Sequence, residues 1–330
     1  MKKEERHAIS EKTLAECMNS VEKIKKEVGK VIIGQDKVVE GLIRALICEG
    51  HVLLEGVPGI AKTLLIRSLA EASGCQVKRI QFTVDMLPTD IVGITTYIPG
   101  KGSFEIVKGP IFANFVVADE VNRSPPKTQS ALLEAMQERQ VTIGKQTFQL
   151  PRPFFVMATQ NPLEQSGVYP LPEAQIDRFL FKILMEYPNM EEEFAILENN
   201  ITIRKFEDFD IKSVVSPTKI TEMQTLARKI FMDDKIKKYV LQIVDKTREK
   251  DFDLGKYVDW GASPRASIGI FIASKAEALI NGRSYVIPDD VKKVAYDVLR
   301  HRLILNYRAG VDGVTSDKVI KEVLSLVKVP

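Results

Sequence analysis

The stretch Gly56-Val57-Pro58-Gly59-Ile60-Ala61-Lys62-Thr63 sets two glycines, a lysine and a hydroxyl residue at a spacing suited to holding a triphosphate. Backbone N–H groups must converge on the β-phosphate in such a loop, so side chains that block the approach have to be absent. Gly56 and Gly59 meet that need, Lys62 can reach the β- and γ-phosphates, and the Thr63 hydroxyl can ligate Mg²⁺. Ala61 stands where such loops usually carry glycine; its methyl group costs little if the chain is already helical there. Asp119 and Glu120 end the apolar run "FVVADE". There an aspartate can hold Mg²⁺ through water and a glutamate can polarise an attacking water. Taken singly, these are a plain strand-to-helix turn and two solvated acids. Together they point to phosphoryl-transfer chemistry.

Three more polar residues could join that chemistry. Asn161 ends the run "FFVMATQN", where it either orients the same water or forms the turn before Pro162. Arg178, in "AQIDRFL", suits a surface ion pair or an arginine finger offered to a neighbouring subunit. Arg265 falls in the first turn of a helix, where a cation opposes the dipole by roughly 0.3–1 kcal/mol. Such a placement suggests a γ-phosphate contact, with a solvated arginine as the alternative.

These residues need a scaffold of strands that end at one edge. "HVLLEG", "FANFVVADE" and "PFFVMATQ" are apolar runs of the kind that form buried parallel strands. The segments "KVVEGLIRALICEG", "TLLIRSLAEASG" and "PKTQSALLEAMQERQ" around them are helical by composition and spacing. Leu14, Cys17, Val21 and Ile24 mark a leading helix over 12–28. The alternation predicts a parallel sheet with helices on both faces. Two hairpin signals interrupt it, at 95–107 around Pro99-Gly100-Lys101-Gly102 and at 140–151 around Gly144-Lys145. Beyond about residue 210 only helices are predicted. One is capped by Thr221 with Gln224, one opens at Ser263-Pro264, one starts at Pro288 and one is capped by Ser316. The chain therefore reads as an α/β domain over 1–205 followed by a smaller all-helical domain over 206–330.

Composition limits the alternatives. Of 330 residues, 45% are hydrophobic and 28% charged, the balance of a soluble globular protein. A net charge of +3 is too small to argue for nucleic acid. No apolar run approaches the ~20 residues of a membrane helix, and no apolar segment follows the charged N-terminus to make a secretory signal. Cys17, Cys48 and Cys75 fit no metal spacing and suit a reducing cytoplasm, while His7, His51 and His301 are too dispersed for zinc and read as structural or surface residues.

The motifs resemble one family, the MoxR branch of the AAA+ ATPases. "GVPGIAKT" is similar to that branch's own phosphate loop, in which alanine before the lysine is usual. "ADEVNRSPPKTQSALLEAMQERQVT" resembles its signature. "ATQNP", "LPEAQIDRF" and "GASPRA" resemble its sensor 1, arginine-finger and sensor 2 segments, and "VIIGQ" the segment enclosing adenine. The resemblance implies a P-loop AAA+ sheet sandwiched by helices, two β-hairpin insertions and a helical lid. It implies ATP held by Gly56 to Thr63 and Leu64, with Ile33 and Gln35 about the base and Lys62 on the phosphates. Mg²⁺ would lie near Thr63 and Asp119. Glu120 would be the catalytic glutamate, Asn161 the sensor, Arg178 a residue acting in trans and Arg265 one acting in cis.

The same resemblance implies a homo-oligomeric ring, usually a hexamer, that remodels or activates partner proteins, including ones with a von Willebrand factor A domain. A magnesium-chelatase-like subunit for metal insertion is a near relative of that reading. A nucleic-acid motor is a second alternative, because Lys101 and Lys145 at the hairpin tips could touch phosphates, although neither hairpin offers a basic-aromatic platform. A scaffold that binds ATP without hydrolysis is a third, opposed by the presence of both Asp119 and Glu120. No nucleic acid and no membrane are expected as partners.

Overall fold

The computed structural model describes residues 9–57, 59–100, 102–160, 169–199 and 205–330. Pro58, Lys101 and Asn161 therefore lie outside the described residues. The elements run α1 (Glu11–Val28), α2 (Asp36–Ile47), β1 (Val52–Gly56), α3 (Lys62–Ala72), β2 (Val77–Gln81), α4 (Pro88–Val92), β3 (Gly93–Ile98) and β4 (Ser103–Lys108). There follow β5 (Phe115–Asp119), α5 (Pro126–Glu138), β6 (Gln140–Ile143), β7 (Gln146–Gln149), β8 (Phe155–Gln160), α6 (Glu173–Ile176), β9 (Phe181–Met185), α7 (Met190–Asn199) and α8 (Pro217–Lys229). The remainder is α9 (Asp234–Lys246), β10 (Val258–Trp260), α10 (Pro264–Ile280), α11 (Pro288–Leu299), β11 (Ile304–Leu305), α12 (Tyr307–Val311) and α13 (Ser316–Leu326).

Five strands form one parallel sheet in the order β2-β5-β8-β1-β9. The three central strands are the apolar runs of the sequence, buried on both faces as parallel strands between helices must be. The edge strands β2 and β9 carry exposed positions such as Lys78, Arg79 and Leu184 and lack so uniform an apolar run. Leu53, Val116, Ala118, Val156 and Ala158 of the sheet pack with Leu132, Leu133 and Met136 of α5 in one core cluster. Both expected hairpins form, β3 with β4 and β6 with β7, each antiparallel.

The chain makes two compact units, Lys23–Thr221 and Glu222–Pro330 with the N-terminal residues up to Glu22. Composition changes near 205, but residues 205–221 are fastened to the first unit. Arg67 of α3 pairs with Glu207 at 2.8 Å and lies 3.9 Å from the centre of the Phe206 ring. The Val214 and Val215 N–H groups donate to the Ala72 carbonyl, and Lys212 N–H to Glu27. The second unit is mainly helical, not wholly so: β10 pairs antiparallel with β11, and Phe231 bridges Tyr285. Thr221 does not open α8, which begins four residues earlier, and the Thr221 hydroxyl donates back to the Pro217 carbonyl at 3.1 Å. Thr315, not Ser316, caps α13, accepting from Lys318 N–H.

His51, expected to be a structural or surface residue, is buried. Its Nδ1 accepts from Val156 N–H at 3.0 Å, leaving Nε2–H to donate to the Met136 carbonyl at 3.1 Å. Burial is the main cause that depresses its pKa to about 4; Met136 opposes this and Arg139 reinforces it. The folded state therefore holds the ring neutral while the unfolded chain takes up a proton below about pH 6.5. Stability from this group is complete above pH 6.5 and is lost as the pH falls toward 4, by about 3 kcal/mol in all. Urea unfolding between pH 7 and 4.5 should show that slope, flattened in His51→Gln, whose amide can keep both hydrogen bonds.

Candidate functional site

β1 delivers Gly56 to the sheet edge and α3 carries the chain away from Lys62. A Cβ on Gly56 would lie 2.7 Å from both the Met185 carbonyl oxygen and the Ile60 side chain, so glycine is required by close approach. Gly59 turns with φ +87. Ala61 departs from the expectation that it is already helical: it takes φ 60 and ψ 30, the left-handed region, as N-cap of α3. An L-residue pays roughly 1–2 kcal/mol there, which accounts for the glycine usual at this position. The Lys62 ammonium donates to the Gly56 carbonyl, closing the loop on itself. Burial lowers the Lys62 pKa, opposed by the charges of Asp119, Glu120 and Glu55.

The acids stand at the end of β5, one strand away from β1 across β8. Thr159 of β8 is buried and serves both of them. Its hydroxyl donates to Asp119 Oδ1 at 2.5 Å and accepts from the Glu120 N–H at 3.0 Å. Glu120 itself sits at φ 57, ψ 49, a left-handed conformation that costs a non-glycine residue of order 1–3 kcal/mol. That turn lifts its carboxylate off the sheet edge. Oε2 is then held by the Gln81 amide at 2.8 Å and by Arg123 Nε at 3.2 Å. Asp119 Oδ2 accepts from Arg79 Nε at 3.1 Å and Nη2 at 2.7 Å.

Sequence reasoning did not single out Thr159, Gln81, Arg79 or Arg123. Thr159 and Gln81 are polar residues closing strands, the one available signal. Only the sheet register, with Gln81 opposite Asp119, joins positions about forty residues apart.

An open cavity of 430 Å³ brings together Gly59, Ala61, Lys62, Thr63, Leu64, Asp119 and Glu120, and adds Thr159 and Gln160. Val57 and Ile60 are half-buried in the same loop. Gln35 precedes α2 and donates to the Glu186 carbonyl at 3.1 Å, one residue past Met185, which pairs with Gly56; half-buried Ile33 lies two residues before it. The segment "VIIGQ" is thus tied to the strand end beside the loop. Arg178 is exposed just after α6 and makes no ion pair among the described residues. Arg265 is exposed in the first turn of α10, in the other unit, its N–H donating to Ser263 Oγ. The cavity's lining includes a hydroxyl and a carboxylate, Thr63 and Asp119, among other oxygen groups of the hard kind that Mg²⁺ selects, beside a cation that can meet phosphate. Such a set fits a magnesium nucleotide.

Known proteins agree with that chemistry. Residues 51–181 match the ATPase family associated with various cellular activities, and residues 254–323 match the AAA lid domain. The chain is 48% identical to Chaperone MoxR1 of Mycobacterium tuberculosis over 322 residues, covering 96% of this chain and 84% of that one. It is 27% identical to Protein MoxR of Methylorubrum extorquens over 312 residues, covering 88% and 90%. The crystal structure of a candidate ATPase from Cytophaga hutchinsonii superposes with a TM-score of 0.90 at 44% identity, covering 97% and 98%.

Proposed function

Because this chain belongs to the MoxR family of AAA+ ATPases and is an ATP hydrolase, we propose that it works as a ring whose ATP cycle remodels or activates partner proteins. The observation that carries the site assignment is the single cavity shared by Lys62, Thr63, Asp119 and Glu120, drawn from the starts and ends of separate elements. Loop N–H groups and Lys62 bind the β- and γ-phosphates, with Ile33 and Gln35 at the base. Thr63 and Asp119 would hold Mg²⁺, which would supply charge neutralisation on those phosphates. Glu120 accepts the proton of the attacking water, and Thr159 fixes where it stands. Asn161 serves as sensor, Arg265 acts in cis, and Arg178 of a neighbouring subunit completes the site.

A hexamer is the ring we propose, in the cytoplasm, where the free thiols of Cys17, Cys48 and Cys75 stay reduced. No helix among the described residues is long and apolar enough to cross a membrane. The β3–β4 hairpin does present aromatic rings: Tyr97 and Phe104 are exposed, 5.3 Å apart. The proposed client proteins, among them ones with a von Willebrand factor A domain, would meet this exposed apolar pair. Steady-state ATP hydrolysis measured against protein concentration tests the reading. Specific activity should climb steeply with concentration and vanish in Lys62→Ala. A flat specific activity overturns the shared site, and none at any concentration overturns hydrolysis.

A further inference from the structure

The backbone of Glu120 is held on both sides of its left-handed turn. Thr159 takes the Glu120 N–H. Beyond the glutamate, the Val121 and Ser124 carbonyls accept from the side-chain amide of Gln129 at 3.3 and 3.0 Å, and the same amide nitrogen reaches the Tyr169 carbonyl at 2.9 Å. The Tyr169 N–H in turn donates to the Asn122 carbonyl at 2.6 Å. The turn is thereby stitched to the segment that leads through α6 to Arg178. Gln129 is wholly buried. Its amide can face only one way, because the reverse would set Oε1 against three carbonyl oxygens. The helix that carries it, α5, is anchored by Leu132, Leu133 and Met136 in the sheet's core cluster, so the donor starts from a fixed place. A non-glycine residue keeps a left-handed conformation only where its surroundings over-determine it. Without the amide, the buried carbonyls of the turn would lose their partner, and rotating them toward water would carry Glu120 with them.

We propose that Gln129 is a positioning residue for hydrolysis: its amide holds the Glu120 turn in the conformation that presents the carboxylate, and locks that turn to the segment leading to Arg178. The proposal rests on the reading of Glu120 as the group that activates water. Gln129 is not part of the cavity's lining, so it acts through the place of the Glu120 backbone. Gln81 and Arg123 steer the carboxylate itself, but its reach is set by the backbone from which the side chain starts.

The test is a double-substitution cycle on single-turnover ATP hydrolysis, in wild type, Gln129→Met, Glu120→Gln and the two combined, with binding of a fluorescent ADP analogue to each. Gln129→Met keeps the length of the side chain and removes the donor. Its turnover should fall about ten- to a hundredfold, the order that an ångström of misplacement costs, with nucleotide affinity and the number of binding sites unchanged. In the Glu120→Gln background the same substitution should cost no more than about twofold, because the group it positions is already gone. A full repeat of the loss in that background places the effect elsewhere and overturns the proposal. Turnover of the single variant within about twofold of wild type also overturns it. Weaker binding or fewer sites makes Gln129 a support of the loop or the fold, which overturns it as well. If Glu120→Gln does not slow hydrolysis, it is the underlying reading of Glu120 that fails. Gln129→Asn leaves the amide one methylene short of its acceptors and should fall between wild type and Gln129→Met. Should Gln129→Met not fold, Gln129→Asn decides by the same signs.

Discussion

Glu120→Gln should lower steady-state ATP hydrolysis by roughly 10²–10⁴-fold while leaving nucleotide affinity within about twofold of wild type. The substitution keeps the shape of the side chain and its backbone turn, because the Thr159 contact is to the Glu120 N–H and survives. Gln81 can still donate to the new amide oxygen, so the side chain keeps its place. What disappears is the capacity to accept a proton from water. None of the groups that would hold phosphate is touched: the loop N–H groups precede α3, and Lys62 and Thr63 begin it, whereas Glu120 follows β5. Turnover in saturating ATP, paired with equilibrium binding of the fluorescent ADP analogue, separates the two effects. Loss of binding together with turnover would mean that Glu120 holds the site together, and unchanged turnover would remove it from catalysis.

Much of this site is written in local sequence. The glycines and lysine of the loop, the acids that end β5 and the three central strands are each a contiguous pattern, because a strand buried on both faces and a phosphate-holding turn tolerate few residue types. The edge strands escaped because β2, "VKRIQ", is paired on one side only and exposes Lys78 and Arg79. Arg79 of this strand reaches Asp119 and Gln81 reaches Glu120, so the least strand-like segment positions the acids. The Ala61 backbone was misread for another reason: residue type sets the cost of a left-handed conformation but does not announce it. The small sheet of β10 and β11 joins residues over forty positions apart through a three-residue and a two-residue strand, too short for any period to show. The second unit was therefore read as helices alone.

Arg178→Ala should abolish all but about 10⁻³–10⁻⁵ of wild-type turnover if its guanidinium reaches the phosphates of the next subunit. Arg178 is suited to that role by where it stands: exposed, one residue before buried Phe179, which anchors the backbone, and with no ion pair among the described residues to hold it down. Activity loss alone cannot separate a trans contact from a cis one, but mixing can. In a heterologous ring each interface joins the nucleotide loop of one copy to the finger of the next. Arg178→Ala subunits carry an intact Glu120, and Glu120→Gln subunits carry an intact Arg178, so each supplies what the other lacks. Random assembly of equal amounts makes about a quarter of the interfaces complete, half times half, and turnover should return to about that fraction if sites fire independently. Recovery to any level far above both parents places Arg178 in the neighbour's site. A mixture no more active than its components, in rings verified to have exchanged subunits, would put Arg178 in its own subunit's site, and the dependence of activity on assembly would then need another cause.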